Sequence, residues 1–235
     1  VKTPITSRVL LAALTGLLAG CGATLTPDTH LDPSGVQATV TRHPILFVHG
    51  YNSSASTWDT MVANFKKDGY TDAELHRFTY DTRVSNTTTA DIVRQKVDEV
   101  RALTGAARVD IIAHSMGSLS SRYYIKHLGG DGKIDAWVSL GGPNHGTDTA
   151  NYCFDTSCRE MRIGSTWLAN LNAGDETPGL NTRFGTFWSP CDEVINPDSS
   201  VSLSGATNTK TACVTHGGLL KDSRVYTAVR DFVNR

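Results

Sequence analysis

Val109-Asp110-Ile111-Ile112-Ala113-His114-Ser115-Met116-Gly117 decides how this 235-residue chain is read. The apolar run Val109–Ile112 reads as a buried strand, and the periodic segment Leu119–Leu128 reads as a helix. Only four residues separate the run from Gly117, so the chain must turn sharply, with Ser115 at the apex. Such a turn lifts the serine Oγ clear of the sheet edge and leaves no room for large side chains two positions either side. Ala113 and Gly117 meet that demand.

Outward from this turn, the same alternation repeats. Pro44–Val48 is a continuous apolar run ending in His49-Gly50-Tyr51-Asn52, as expected of a parallel strand covered on both faces. Trp58–Lys67 follows as a helix capped by Ser56 or Thr57, with Trp58, Met61, Val62 and Phe65 on one face and Gly69 as its stop. Leu75–Tyr80 reads as a strand, and Thr87-Thr88-Thr89-Ala90-Asp91 opens a helix that carries Val93, Val97, Val100 and Leu103 and ends at Gly105. Beyond the central turn come the strand Ile134–Leu140, an irregular stretch 147–182, the strand Arg183–Ser189, a short strand near Ala212-Cys213-Val214, and a helix Leu219–Val233. Strands alternating with helical patterns predict an α/β chain with a mostly parallel central sheet and helices on both faces.

The composition is that of a folded chain: 39% apolar, 19% charged, net charge −1. No basic block points to nucleic acid, and a monomer is expected. The N-terminus reads differently. Lys2 and Arg8 precede the apolar run Val9–Leu18, and small residues follow, so residues 1–21 read as an export signal. Leu18-Ala19-Gly20-Cys21 resembles a bacterial lipoprotein box, with Cys21 the lipidated residue that would anchor the protein to a membrane; ordinary cleavage near Ala23 is the alternative. Residues 22–42, rich in Thr, Pro, Asp and Gly, read as a linker, leaving 43–235 as the folded unit. Export to the cell envelope or the medium places Cys153, Cys158, Cys191 and Cys213 in an oxidising compartment, where three pairings are open. Proximity favours Cys153–Cys158 and Cys191–Cys213, the second closing a loop that contributes roughly 3 kcal/mol in the chain-entropy model. No histidine pattern accompanies these cysteines, so neither a metal nor a cofactor is expected.

A strand that turns into a helix around one serine has the form of the nucleophile elbow of α/β-hydrolases, here with Ala113 in place of the usual first glycine. In that fold a carboxylate and then a histidine follow the serine along the chain. Asp192 follows the strand Arg183–Ser189 and His216 follows the last short strand, so both fall at carboxyl strand ends beside Ser115. Glu193, Asp175 and Asp222 are the alternative acids. The other histidines precede Ser115, lie on a helix (His127), or come before any acid-bearing strand (His145). Backbone N–H groups of Met116 and of Tyr51, in the loop after the first core strand, are the expected oxyanion donors. A Cys191–Cys213 bridge would tether the acid loop to the histidine loop. An apolar groove is expected from Met116, Trp167, Leu168, Phe187 and Trp188.

His49-Gly50-Tyr51-Asn52, Ala113-His114-Ser115-Met116-Gly117, Leu140-Gly141-Gly142-Pro143-Asn144-His145-Gly146-Thr147 and Trp188-Ser189-Pro190-Cys191-Asp192 together resemble small secreted bacterial lipases of the Bacillus subtilis and actinobacterial class 2 types. The resemblance runs from about Pro44 onward. It implies an α/β-hydrolase fold with a minimal or reduced cap, a Ser115–Asp192–His216 triad, and hydrolysis of acylglycerol esters at a lipid–water interface. The four cysteines and the long 147–182 stretch depart from the Bacillus pattern. A short-chain esterase, a polyester hydrolase or an acyltransferase would use the same residues, and a non-catalytic ligand-binding lipoprotein is the reading from outside the enzymes.

Overall fold

The computed structural model describes residues 40–235. The expected export signal, Cys21 and the linker up to residue 39 lie outside them. Six strands form one sheet: β1 (Ile45–Val48), β2 (Leu75–Arg77), β3 (Val109–His114), β4 (Ile134–Leu140), β5 (Arg183–Trp188) and β6 (Thr207–Lys210). Their order is β2-β1-β3-β4-β5-β6, and every pairing is parallel. The helices are α1 (Asp59–Lys67), α2 (Asn86–Thr104), α3 (Gly117–His127), α4 (Thr156–Glu160), α5 (Thr166–Asn172) and α6 (Ser223–Val233).

The continuous apolar runs of the central strands have a simple cause: both faces of the sheet are covered. Successive side chains point to opposite faces. In β1, Leu46 and Val48 join one core and Ile45 and Phe47 the other; in β3, Ile111 and Ile112 divide in the same way. The first core takes Val93, Val97 and Val100 of α2, Leu119 and Ile125 of α3, and Leu168 and Leu171 of α5. The second takes Met61 and Phe65 of α1 with Val225, Val229 and Phe232 of α6, and there the ring centroids of Phe47 and Trp58 lie 5.1 Å apart. Each such buried side chain contributes about 1.5–3 kcal/mol by leaving water.

The chain leaves β1 toward β2 on one side and returns to β3 on the other. The adjoining carboxyl ends of β1 and β3 therefore form the topological switch point, where open α/β sheets bind ligands. The register sharpens this. Val48 pairs Ala113, His114 pairs Leu140, and Leu140 pairs Phe187, so the residues just beyond β1, β3, β4 and β5 emerge side by side.

Three local expectations need correction. The last strand is not at Ala212–Val214 but at Thr207–Lys210, a polar edge strand whose partner lies on one side alone. Ala212-Cys213-Val214 forms no strand: Cys213 is exposed and bridged to Cys191, Val214 is a partly buried neighbour of the second core, and Ser189 holds the Val214 backbone. The Ser189 hydroxyl donates to the Val214 carbonyl at 2.6 Å and accepts from its N–H at 2.9 Å. The final helix is interrupted: a 3-10 turn, Gly217–Leu220, precedes α6, which restarts with Asp222 accepting from the Arg224 and Val225 N–H groups. Neither Ser56 nor Thr57 caps α1; both sit inside the 3-10 turn Ala55–Trp58 that leads into it.

Candidate active site

Ser115 has φ = +53°, a left-handed backbone that L side chains avoid. Two things hold it there. Its N–H donates to the Leu140 carbonyl at 2.9 Å, continuing the β3–β4 ladder, and α3 starts two residues later. The turn succeeds because its neighbours lack side chains. A Cβ on Gly117 would lie 2.5 Å from the His49 carbonyl oxygen and 2.6 Å from that of Val48. A Cβ on Gly50 would lie 2.7 Å from the Ser115 Cβ, so the loop after β1 passes directly over the serine.

Asp192 and His216, 24 positions apart, meet at the same sheet edge. His216 Nδ1 and Asp192 Oδ2 are 2.8 Å apart, with the carboxylate the acceptor. Asp192 Oδ1 accepts the Val194 and Ile195 N–H groups, each at 2.9 Å. Burial alone would raise the Asp192 pKa, but the His216 bond and charge and these two N–H groups outweigh it and hold the carboxyl below its usual value. With Nδ1 committed to Asp192, Nε2 is the nitrogen left to face the cavity that Ser115 and His216 both line.

Further groups hold this pair, among them the expected Cys191–Cys213 bridge. The Glu193 carboxylate accepts the His216 backbone N–H at 2.9 Å, which explains an acid beside Asp192 without giving it the same place. His114 Nε2 lies 3.1 Å from the His216 carbonyl oxygen; burial pushes the His114 pKa down to about 3, so its ring is neutral and donates. Cys191 and Cys213 are bridged, joining the loop of Asp192 to that of His216. Cys153 and Cys158 are bridged as well.

His49 has an equally definite place. Its ring stacks on Tyr80 with centroids 4.2 Å apart, and burial lowers its pKa, keeping it neutral. Nε2 takes the Tyr80 N–H, so Nδ1 carries the proton and donates to the Gly50 carbonyl at 2.9 Å. The Gly50 carbonyl and the Tyr51 N–H belong to one planar trans peptide and point in opposite directions. Gripping the first therefore aims the second.

The cavity over Ser115 holds about 470 Å3 and is mainly apolar; Ala150, Met161, Val194 and Ile195 are among its walls. The groove expected from Met116, Trp167, Leu168, Phe187 and Trp188 is not this one. Met116, Leu168 and Phe187 are core residues, Trp167 stacks on Tyr123, and Trp188 faces Lys210. The walls come instead from residues 147–161 and from the two residues that cap Asp192. The alternative acids have other partners: Asp222 caps α6, and Asp175 closes a turn with Thr177. Among the described residues, two clusters bring three metal-ligating groups together. In one, Cys153 and Cys158 are a disulfide; in the other, with His43 and Asp110, the Asp135 carboxylate is held by Arg108 and Arg183.

The family described as Lipase (class 2) matches residues 42–217, well over half of the chain. The chain belongs to the class 2 lipases. Its fold is that of the α/β-hydrolases. Among solved structures, Bacillus licheniformis lipase BlEst2 in its mature form is 18% identical, with 88% of this chain and 96% of that one aligned at a TM-score of 0.72. Aspergillus fumigatus lipase B is 17% identical, with 88% and 55% aligned at a TM-score of 0.70. At these identities the likeness concerns the fold. Among curated proteins, phospholipid:diacylglycerol acyltransferase 1 of Arabidopsis thaliana is 25% identical over 150 residues, which cover 60% of this chain and 20% of that protein. The class 2 lipase chain thus spans about a fifth of the length of the curated relatives it matches.

Proposed function

We propose that this class 2 lipase is an exported serine hydrolase that cleaves acylglycerol esters through an acyl-enzyme on Ser115. The observation that carries the reading is the Asp192–His216 pair, 2.8 Å apart, opening on the same cavity as a serine held at positive φ. Ser115 Oγ attacks the ester carbonyl carbon while His216 Nε2 takes its proton. Asp192 holds the tautomer and stabilises the imidazolium. The Tyr51 and Met116 N–H groups receive the oxyanion. As the tetrahedral intermediate collapses, the C–O bond to the alcohol breaks and the alcohol leaves with the proton from His216. Water, deprotonated by the same nitrogen, then releases the acid and restores Ser115.

Support for a lipid substrate comes from the walls. The cavity is mainly apolar; Tyr152, among its lining residues, and Phe154, two positions further along the chain, are 87% and 74% exposed. Exposed aromatics beside an apolar groove fit a lipid surface better than bulk water. The two disulfides fit an extracellular protein, and no helix among the described residues is long and apolar enough to cross a membrane. The Leu18–Cys21 motif supports anchoring through Cys21. Acyl transfer to an alcohol is the second reading, favoured by the Arabidopsis acyltransferase relatives; it differs only in what intercepts the acyl-enzyme.

The test is hydrolysis of p-nitrophenyl esters from C2 to C16 and of an emulsified triacylglycerol by wild type and Ser115→Ala. Long-chain and emulsion activity lost in the variant is expected. Activity confined to short soluble esters would make it an esterase, and equal rates in both proteins would refute Ser115 as nucleophile.

A further inference from the structure

Asp155 occupies the N-cap of α4 with extended backbone, φ −63° and ψ 158°, yet its side chain caps nothing. An aspartate at an N-cap ordinarily accepts the second or third helical N–H. Here the carboxylate turns away from its own helix and accepts the Tyr51 hydroxyl at 2.6 Å, joining residues 104 positions apart. The phenol also touches Cys153 Sγ at 3.1 Å; that sulfur is in the disulfide and has no hydrogen to give, so the hydroxyl proton belongs to the Asp155 bond. The same bond raises the Tyr51 pKa, which keeps the phenol a donor.

The segment carrying Asp155 is fixed at both ends. The Cys153–Cys158 disulfide closes it, and the Glu160 carboxylate at the end of α4 accepts from the Ser85 hydroxyl, the Asn86 N–H and the Asn86 side-chain amide. A second link reaches the same loop from the other side. The Ser157 hydroxyl donates to the Thr82 carbonyl at 2.6 Å, and the Thr82 hydroxyl accepts the Asn52 N–H at 3.1 Å. Asn52 is itself at φ +52°, so the loop after β1 leaves Tyr51 by a conformation that needs outside support. His49 fixes the peptide entering Tyr51; α4 fixes its side chain and the peptide leaving it.

We infer that Asp155 is a positioning residue for ester hydrolysis: on the disulfide-closed α4 segment, it holds Tyr51 by the phenol so that the Tyr51 N–H stays aimed at the oxyanion. The inference rests on the reading of Tyr51 as an oxyanion donor. It gives the Cys153–Cys158 bridge a part in turnover as well as in stability. Because Asp155 makes no cap bond, removing its carboxylate costs α4 little, and the effect falls on the transition state.

The experiment compares wild type, Asp155→Ala, Asp155→Asn, Tyr51→Phe and the Asp155→Ala/Tyr51→Phe double variant on p-nitrophenyl butyrate, with Ser115→Ala as the blank. Misplacing a preorganised donor lowers turnover by about 10- to 100-fold. That loss is expected in kcat for Asp155→Ala and for Tyr51→Phe, with KM within about twofold and Tm within a few degrees of wild type. The double variant should be no slower than either single one, since both break one bond. Asp155→Asn, which still offers an oxygen, should recover part of the loss. Affinity for a boronic acid that mimics the tetrahedral intermediate should fall by the same factor as kcat. Wild-type kcat in the single variants, additive losses in the double, or a loss confined to KM or Tm would overturn the inference and leave the proposed function standing. No Ser115-dependent hydrolysis by wild type would overturn both.

Discussion

Replacing Asp192 by asparagine probes the proposed chemistry at one atom. Asp192 Oδ1 accepts two backbone N–H groups at 2.9 Å, and Oδ2 accepts from His216 Nδ1 at 2.8 Å. An asparagine keeps the backbone pair by placing its single oxygen where Oδ1 was, and its NH2 then points at His216. Nδ1 becomes the acceptor and Nε2 carries the proton, the wrong tautomer for taking one from Ser115. The analogous tautomer error in a serine protease costs about 10⁴ in turnover, or roughly 5 kcal/mol at 1.36 kcal/mol per tenfold. The fold should suffer much less. One charge-assisted bond is worth about 1.5–3 kcal/mol, and a protein of this size shifts its Tm by about 2–4 °C per kcal/mol. Asp192→Asn should therefore remain folded at 25 °C while kcat on p-nitrophenyl butyrate falls by three to four orders of magnitude. A loss under tenfold, or a larger loss in Glu193→Gln, would refute the assignment of Asp192 and of the tautomer it selects.

Three other outcomes are expected. In Cys191→Ser/Cys213→Ser the lost loop constraint is worth about 3 kcal/mol; thermal unfolding should show a Tm lower by roughly 6–12 °C, and kcat should fall about tenfold because the Asp192 and His216 loops are released. An unchanged kcat would leave that bridge a general staple. Asp110 is buried, and burial raises its pKa well above the usual value despite the Ala136 N–H it accepts and the nearby arginines 108 and 183. The native state then holds a proton that the unfolded chain has lost, so stability falls as pH rises through that interval. Asp110→Asn, which still accepts from Ala136, should melt higher than wild type at pH 7–8 and equal to it near pH 4; a gap that widens toward acid would contradict this. Asp222 caps α6, and Arg224 with the capped N–H groups draws its pKa down to about 2. Its contribution is present above about pH 4 and is lost as pH falls toward 2. Asp222→Ala should cost about 1 kcal/mol at pH 7, the deficit shrinking below pH 4, with kcat/KM unchanged.

The sheet was legible because its central strands are apolar on both faces, a pattern that few other structures produce. The elbow was legible because Ala113 and Gly117 are the sizes the turn permits. Edge strand β6 was not: Thr207–Lys210 has one neighbour and a solvated face, so no hydrophobic periodicity marks it, while Ala212-Cys213-Val214 imitates a strand in composition alone. The groove was misplaced for a related reason. Trp167, Leu168, Phe187 and Trp188 are large and apolar, but size does not tell core from cavity, and the real walls lie in the irregular stretch 147–161. The sequence assigns no role to His49 or Asp155, and offers Glu193 only as an alternative acid, because each works through a backbone group or a single hydroxyl far along the chain. His49 was visible as half of the His49-Gly50 pair; Asp155 had no signal beyond its closeness to Cys153 and Cys158.

Attack by Ser115 is the central claim, and trapping it is the most direct measurement. The protein would be incubated with a p-nitrophenyl alkylphosphonate, which arrests the reaction at a tetrahedral adduct, and then digested and sequenced by mass spectrometry. A single phosphonyl group on Ser115 is predicted, formed stoichiometrically with p-nitrophenol release and absent from both Ser115→Ala and His216→Ala. A protein that hydrolyses esters yet carries the adduct elsewhere, or none at all, would contradict the account.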